Sequence, residues 1–249
     1  MVQAGPGKIR LFTDFSDVPP TLTGTLDNGT TGDFYTGGEG HEDNSAGVGA
    51  GAFLSGVGDI TSGATDVDTT FVGTPLMFDV GLMGTITLET RVQMPDFDTK
   101  ELFIGFTSIL AFDHQLADSI ANSSATVITL TAENCGFYFS DELTASATEW
   151  HGIYNGGTAA ASTTVADVNL GTAGTANPTA GEWQVLRLRI DGNGTVTWFI
   201  DTVEVQKVIG AVSLTTNFAA CVATAANSAN AAIMQSDYIK VTAGRDWTV

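Results

Sequence analysis

Two pairs of alternating acidic residues, Asp66/Asp68 and Asp96/Asp98, are the first candidates for chemistry in the sequence. Retaining hydrolysis of a glycosidic bond uses two carboxyl groups about 5 to 5.5 Å apart, one protonated as the acid and one ionised as the nucleophile. Alternate residues of a strand place their side chains on one face. Both pairs lie in turn-like sequence, however, which is typical of solvated loop acids. We therefore predict no catalytic residues and no enzymatic activity.

The three histidines, His41, His114 and His151, are widely separated, and no His-x-His, His-Glu-x-x-His or Cys-x-x-Cys spacing occurs. Those spacings are the ones that bring transition-metal ligands together. The Gly-x-Ser-x-Gly and phosphate-loop patterns are absent as well. We predict histidines that lie at the surface or make hydrogen bonds, and no transition-metal site.

Calcium remains an open alternative, because hard cations bind clustered oxygen atoms. Asp66, Asp68, Asp96, Asp98 or the region of Asp113 could supply such oxygen atoms. No twelve-residue calcium loop is present, so the sequence predicts no cofactor and assigns no calcium ligand.

Binding a glycan at the protein surface would require exposed aromatic side chains beside polar hydrogen-bonding groups. Trp150, Tyr154 and Trp247 are the candidates for glycan or subunit contacts, with core packing as the alternative. For Trp183 and Trp198 we predict core packing.

The charge balance restricts the partners. Nine Lys and Arg against 28 Asp and Glu give a net charge of -19, and no sequence window gathers the basic residues. Binding nucleic acid or an anionic bilayer requires such clusters, so neither partner is predicted. The N-terminus shows no secretory signal pattern, and no apolar run has the length of a membrane span. We expect synthesis without a signal peptide.

Cys135 and Cys221 both lie in apolar, strand-like segments. A free cysteine in such a segment behaves as a small hydrophobic residue. We predict two buried thiols, with a disulfide as the alternative.

Short blocks of alternating apolar residues, rich in Thr and Gly, predict an almost entirely β fold. Residues 85–94 and 101–107 are read as two strands that neighbour each other in a sheet. The strongest prediction is a hairpin of residues 183–190 and 195–201, joined by the turn Asp191-Gly192-Asn193-Gly194. Leu186, Leu188 and Ile190 would face the core, and Arg187 and Arg189 the solvent.

Nine further segments have the strand pattern: residues 8–14, 70–80, 125–131, 135–140, 149–154, 163–170, 203–208, 218–224 and 232–242. About a dozen strands suit a two-sheet jelly roll better than a small immunoglobulin sandwich. Residues 37–58 and 171–181 are dense in Gly and polar residues and are predicted as loops.

From about Phe71 to Arg245 the sequence resembles the concanavalin A-like lectin/glucanase jelly roll, in the form found in tailed-phage virion proteins. The resemblance is carried by residues 86–92 with 101–107, by residues 135–141, by Glu182-Trp183 leading into Phe199-Ile200-Asp201, and by residues 237–241. The Glu-x-Asp-x-x-Glu spacing of the glucanase members is absent. Thr202 follows Asp201 where the family often has glycine, so this turn must be made differently.

The resemblance implies a single-domain, all-β, two-sheet antiparallel sandwich over residues 70–249, with residues 1–69 as a loop-rich arm packing on or extending from it. It further implies a virion structural protein on the capsid exterior that is made in the host cytoplasm. This would be a decoration (cement) protein that binds the major capsid protein and itself, as a homotrimer. A glycan-binding module of a tail or head fibre is the alternative, and a degenerate glycoside hydrolase is the third.

Overall fold

The computed structural model describes residues 7–17, 29–41, 46–50, 56–164, 169–170 and 177–245, and in these ranges the chain is almost entirely β. A short α-helix, α1 (Val80–Met83), and one turn of 3-10 helix (Leu116–Asp118) interrupt the strands. Among the described residues, no helix is long and apolar enough to cross a membrane. The predicted all-β class is confirmed.

The strands of the first half are β1 (Lys8–Thr13), β2 (Thr30–Thr31), β3 (Phe34–Gly37), β4 (Gly47–Ala50), β5 (Gly58–Thr61), β6 (Thr69–Gly73), β7 (Phe78–Asp79), β8 (Ile86–Gln93) and β9 (Lys100–Thr107). Those of the second half are β10 (Ile120–Ser124), β11 (Val127–Leu130), β12 (Asn134–Ser140), β13 (His151–Tyr154), β14 (Trp183–Ile190), β15 (Val196–Ile200), β16 (Val203–Val208), β17 (Asn217–Ala226) and β18 (Ile233–Gly244).

Two large antiparallel sheets form a sandwich, as predicted. Sheet I has the strand order β16-β15-β14-β8-β18-β5-β4, with β1 also paired to β18. Sheet II has the order β13-β12-β9-β17-β6-β3-β2, with β7 also paired to β17. Strands β10 and β11 form a separate two-stranded hairpin.

The main core lies between the two sheets, because alternate residues of the central strands are apolar. Ile86 and Leu88 of β8 are buried there, and Leu102 of β9 meets them from sheet II. Trp198 of sheet I donates from Nε1 to the backbone oxygen of Gly136 in sheet II, at 2.8 Å. This hydrogen bond satisfies the indole N–H inside the core and links the two layers.

The β14–β15 hairpin confirms the strongest sequence prediction. Its register places Leu188 opposite Trp198, and the backbone N–H of Asp191 donates to the oxygen of Thr195 at 2.8 Å. Gly194 has a φ of 77°, a conformation that glycine in this turn sequence adopts without strain. Local alternation and turn chemistry are enough to specify this element.

The β15–β16 turn is made by two residues without the freedom of glycine. Asp201 has a φ of 48° and Thr202 a φ of 74°, so both lie in the left-handed region. Asp201 is anchored there, since its Oδ1 accepts from the backbone N–H of Val185 at 2.8 Å. Thr202 is β-branched and is strained by this conformation.

Thr202→Gly is expected to raise the free energy of unfolding by about 1 kcal/mol, because glycine adopts positive φ without a Cβ clash. Equilibrium unfolding in urea measures the change. Thr215→Gly, at an exposed loop position outside the positive-φ residues, is the matched control and should give no stabilisation. Equal effects of the two substitutions would contradict the assignment of strain to Thr202.

The predicted pairing of residues 85–94 with residues 101–107 is wrong. Strand β8 pairs with β14 and β18 in sheet I, whereas β9 pairs with β12 and β17 in sheet II. The segment between them crosses from one sheet to the other. Alternation in sequence identifies a strand and its buried face, but it carries no information about the partner strand.

The loop predicted over residues 37–58 is also partly wrong. It contains β4, which pairs with β5 so that Val48 stands opposite Ile60, and both side chains are buried. Glycines in β4 hide its strand character from a propensity-based prediction. The described parts of residues 1–69 supply β1 to β5 to the two sheets.

Two other predicted strands differ in the structure. Residues 70–80 are divided into β6 and β7 around Pro75, because proline removes a backbone donor. In the described part of residues 163–170, Thr164 and Asn169 form isolated bridges. Residues 165–168, and residues 171–176 of the second predicted loop, lie outside the described residues.

The two cysteines are free and buried, as predicted. Cys135 belongs to the main core, whereas Cys221 lies on the opposite side of sheet II. Burial raises the pKa of both thiols. Both are therefore unreactive packing residues.

Candidate functional site

The outer face of sheet II carries a second layer of structure. Because successive strand residues point to opposite sides, Leu102 and Ile104 of β9 enter the main core, whereas Glu101 and Phe103 lie on the outer side. A second apolar cluster covers most of this face, and it includes Phe71, Phe103, Tyr138, Leu116, Ile120, Ile128 and Leu143. The 3-10 helix and the β10–β11 hairpin supply part of the cover.

A pocket of about 200 Å³ remains at the end of this cover. Its polar lining is three carboxyl groups and one amide, from Asp66, Glu101, Glu142 and Asn227. Its apolar lining is made of small and branched side chains: Val67, Ala117, Ile120, Ala121, Ala225 and Ala226. A few converging polar groups beside an apolar wall are typical of small-ligand sites.

Strand register places Glu101 and Glu142 at the same rim. Ser140, the last residue of β12, stands opposite Glu101 on β9. The Ser140 hydroxyl accepts from the backbone N–H of Glu142 at 3.3 Å, which holds the turn after β12 against the strand. Two acids that are distant in sequence therefore line one pocket.

Asp141 fixes the same corner from behind the pocket. Its carboxylate accepts from the backbone N–H groups of Thr99 and Lys100, at 2.9 and 3.2 Å, where β9 begins. It also accepts from the side-chain amide of Asn227. Three segments are thereby tied together at the pocket.

The remaining acid, Asp66, is held by a strained turn. Val67 has a φ of 71°, a rare conformation for a β-branched residue. Its backbone N–H donates to the oxygen of Ala226 at 2.9 Å, which brings this turn against the end of β17. Strain of this kind persists only where surrounding structure enforces it, and it is concentrated at functional sites.

Burial raises the pKa of Glu101 to about 8, and the negative charge of Glu142 acts in the same direction. Asp141 and Asp66 add smaller contributions of the same sign, whereas the nearby Tyr138 hydroxyl acts in the opposite direction. Glu101 is therefore protonated at neutral pH. In that form it can donate as well as accept a hydrogen bond.

The aromatic candidates are placed differently from one another. Trp150 is fully buried in the main core, where its Nε1 donates to Oε1 of Gln184 at 3.0 Å, so its ring is not part of the surface. Tyr154 is half-buried and packs against Trp198, with ring centroids 6.1 Å apart. Trp247 lies outside the described residues.

The two other tryptophans also differ. Trp198 is fully buried in the core, as predicted. Core packing is wrong for Trp183, which lies half-buried on the outer face of sheet I under the guanidinium of Arg91, 4.9 Å from the ring centroid.

The prediction of solvated loop acids is confirmed for Asp66, Asp96 and Asp98, which are exposed, and is wrong for Asp68. Asp66 lines the pocket, and Asp68 is buried, with its carboxylate accepting from the backbone N–H of Thr65 at 3.0 Å. Asp96 and Asp98 are both exposed, and Asp96 forms an ion pair with Lys100. Turn-like sequence therefore predicted their location but not their surroundings.

No three His, Cys, Asp or Glu side chains are arranged to hold a metal ion within the part of the chain that the structure describes. Asp113, the last of the calcium candidates, is exposed. The sequence predicts histidines that lie at the surface or make hydrogen bonds. The surface location is wrong, since His41, His114 and His151 are all buried. Burial lowers the pKa of His151 to about 4.

Sequence reasoning missed Glu101, Glu142 and Asn227. A signal was present for Glu101, because it is the one acid in a strand, Lys100–Thr107, that otherwise reads as buried on both sides. A carboxyl group in such a strand must either find a partner or hold its proton. Glu142 and Asn227 carry no comparable signal, since both lie in turns after their strands.

Comparison with known proteins places the fold. The chain superposes on the carbohydrate recognition domain of Emp47p with a TM-score of 0.54 and 10% identity, covering 98% of this chain and 100% of that one. A protein of unknown function from Shewanella oneidensis MR-1 gives a TM-score of 0.53 and 16% identity over 100% and 92% of the two chains. An endo-β-1,4-glucuronan lyase from the fungus Trichoderma reesei gives 0.50 and 12% over 92% and 93%.

The fold is the concanavalin A-like sandwich. No protein-family model and no curated protein matches the sequence. Concanavalin A-like sandwiches with this architecture include both a carbohydrate recognition domain and a lyase, so the fold alone assigns no activity. The likeness to virion proteins stays a prediction.

Proposed function

We propose that the chain is a carbohydrate-binding module and that the Glu101 pocket is its binding site. The observation that carries this proposal is the pocket on the outer face of sheet II, in which carboxyl groups and an amide converge beside an apolar wall. A sugar needs both kinds of surface, because it presents hydroxyl groups at its edge and C–H groups on its faces.

Each polar group of the pocket has a role in such a complex. Glu142 and Asp66 accept hydrogen bonds from sugar hydroxyls, and charge-assisted bonds of this type are the strong ones. Protonated Glu101 donates to a ring or hydroxyl oxygen, which ionised carboxylates cannot do. A volume of about 200 Å³ fits a single sugar residue rather than a long chain segment.

Glu142→Gln is expected to weaken saccharide binding about tenfold or more, because it removes a charged acceptor from the pocket. A panel of neutral saccharides, titrated by calorimetry, identifies the ligand and gives the affinity of each variant. Glu182→Gln, at an exposed acid outside the pocket, is the matched control and should bind as wild type.

The affinity of the wild type for the saccharide should also fall as pH rises through about 8, where Glu101 loses its proton.

Absence of binding to every saccharide, or equal affinity of the Glu142→Gln and Glu182→Gln variants, would contradict the proposal.

The same panel tests a second candidate function, glycoside hydrolysis. Glu101 and Glu142 form a carboxyl pair in which one member holds its proton, the combination that acid catalysis of glycosidic cleavage requires. Release of new reducing ends, abolished by Glu101→Gln, would favour the hydrolase.

The capsid decoration role, with the major capsid protein as partner and a homotrimer as the assembled unit, stays a prediction of the resemblance. One surface feature is compatible with it. Leu82, Ile209 and Leu214 are exposed near the β14–β15 turn, where Gly81 and Gly194 pack against the Leu214 segment. Exposed apolar side chains of this kind suit a subunit contact. Copy number in purified particles would test the role.

A further inference from the structure

The fold gathers basic residues that the sequence keeps apart. Of the nine Lys and Arg residues, seven project from the outer face of sheet I or its edge. They are Lys8, Arg10, Arg91, Arg187, Arg189, Lys207 and Lys240. The other two are Lys100, which is buried, and Arg245, which follows β18. A chain of net charge -19 therefore has one face on which cations are concentrated.

Strand register orders these residues into rows. One row crosses sheet I as Lys207, Thr197, Arg189, Thr87, Thr242 and Arg10, each opposite the next. Directly opposed residues leave the same face of a sheet. This row contains threonines and bases and no acidic residue.

A shallow cavity of about 380 Å³ lies on this row. Hydroxyl-bearing and basic side chains make up its polar lining: Lys8, Thr85, Thr87 and Thr242. Met83 forms a wall, because its backbone lies close over Gly244, where no Cβ would fit. Arg10 and Arg189 flank the cavity, as they stand opposite Thr242 and Thr87.

The acids near this face leave part of its charge unpaired. Asp237 pairs with Arg91, Asp191 with Arg189, and Glu89 lies 3.9 Å from Lys240. The other acids on or beside the face, among the described residues, include Asp59, Asp201 and Glu204, and also Asp33, whose carboxylate accepts from the backbone N–H of Phe12 on β1 at 2.9 Å. Among the described residues, Lys8 and Arg10 at the cavity have no acidic partner within 4 Å. The hydroxyl of Thr85 donates to Oδ1 of Asp191 at 3.4 Å, whereas the hydroxyls of Thr87 and Thr242 have no hydrogen-bond partner in that part of the chain.

We propose that this cavity binds an acidic saccharide, with Lys8 and Arg10 holding its carboxylate and the threonines its hydroxyls. An ammonium and a guanidinium match a singly charged oxyanion, since charge-assisted bonds to carboxylate are strong. A polyphosphate is a worse fit, because it needs more cations than the cavity offers and is repelled by the negative charge elsewhere. The site is on the opposite side of the sandwich from the Glu101 pocket and does not depend on it.

The test compares two probes that differ by one carboxylate: methyl β-D-glucuronide and methyl β-D-glucoside, which has a hydroxymethyl group in its place. Calorimetry or chemical-shift perturbation is expected to show binding of the acidic probe at this face and at least tenfold weaker binding of the neutral one. Lys8→Gln and Arg10→Gln should each weaken binding of the acidic probe about tenfold. Thr87→Val with Thr242→Val keeps the side-chain shape, removes both hydroxyls and should also weaken binding.

Matched controls distinguish this cavity from diffuse surface charge and from the Glu101 pocket. Lys207→Gln removes the same charge from the same face but far from the cavity, and it should bind as wild type. If it weakens binding as much as Lys8→Gln does, the effect is diffuse charge and the proposed site is wrong. If Glu142→Gln abolishes binding of the acidic probe instead, the ligand occupies the opposite face and the proposal is overturned. Equal binding of the two probes also overturns it. Urea unfolding of each variant confirms that it is folded.

Discussion

Glu101→Gln is expected to stabilise the protein by about 4.5 kcal/mol at pH 8.5 and to change its stability little at pH 4. In the folded protein the pKa of Glu101 is raised from 4.5 to about 8. Between pH 4.5 and about pH 8 the folded state binds a proton that the unfolded chain has released. Stability of the wild type therefore falls as pH rises from about 4.5 to about 8, and glutamine removes this dependence.

Urea unfolding at several pH values between 4 and 8.5 measures the effect as a difference between wild type and variant. The difference should grow with pH and level off above about 8. Glu182→Gln, at an exposed position, is the control and should give no pH-dependent difference. A difference between Glu101→Gln and wild type that stays constant across this range would show that Glu101 is ionised in the folded protein.

Asp96→Ala is expected to destabilise the protein by about 2 to 3 kcal/mol, because it leaves a buried ammonium without its counter-ion. The Lys100 side chain is only 1% exposed, and its Nζ lies 2.5 Å from Oδ1 of Asp96. Its other polar contact is the backbone oxygen of Ile233 at 3.4 Å. Lys100→Met, which replaces the charge with an apolar chain of similar length, is expected to cost less.

The double substitution is the decisive measurement for this ion pair. If the cost of Asp96→Ala comes from the buried charge, adding Lys100→Met should recover most of the stability in a double-mutant cycle. Additive losses would instead indicate that Asp96 stabilises the turn before β9 independently of Lys100. Asp98→Asn, in the same turn but not paired with Lys100, controls for the loss of an acid.

The elements predicted from sequence are those whose signal is local. The β14–β15 hairpin combines alternation with a turn sequence that accepts positive φ, and it forms as expected. The neighbours of β8 were not predicted, because strand pairing is decided by contacts across the whole chain. Strand β4 was missed, since its glycines carry no side-chain signal and its pairing with β5 comes from the backbone.

The pocket could not be predicted from sequence for a related reason. Its three acids come from the turn before β6, from β9 and from the turn after β12. Only the fold brings them together. Alternation of carboxylates indicates Asp66 but pairs it with Asp68, which is buried nearby. The gathering of basic residues on the outer face of sheet I could not be predicted from the sequence either, although the orientation of Arg187 and Arg189 away from the core was predicted correctly.

The hairpin of β10 and β11 has an evolutionary consequence. It forms its own small sheet, and with the adjoining residues it provides Ile120 and Ala121 to the pocket wall. Insertions and deletions are tolerated most readily in such surface excursions. Lengthening or shortening this hairpin would widen or close the pocket while both large sheets stayed intact. Homologues could therefore diverge in the size of the ligand they accept through changes confined to a few residues, leaving the sandwich as a constant scaffold.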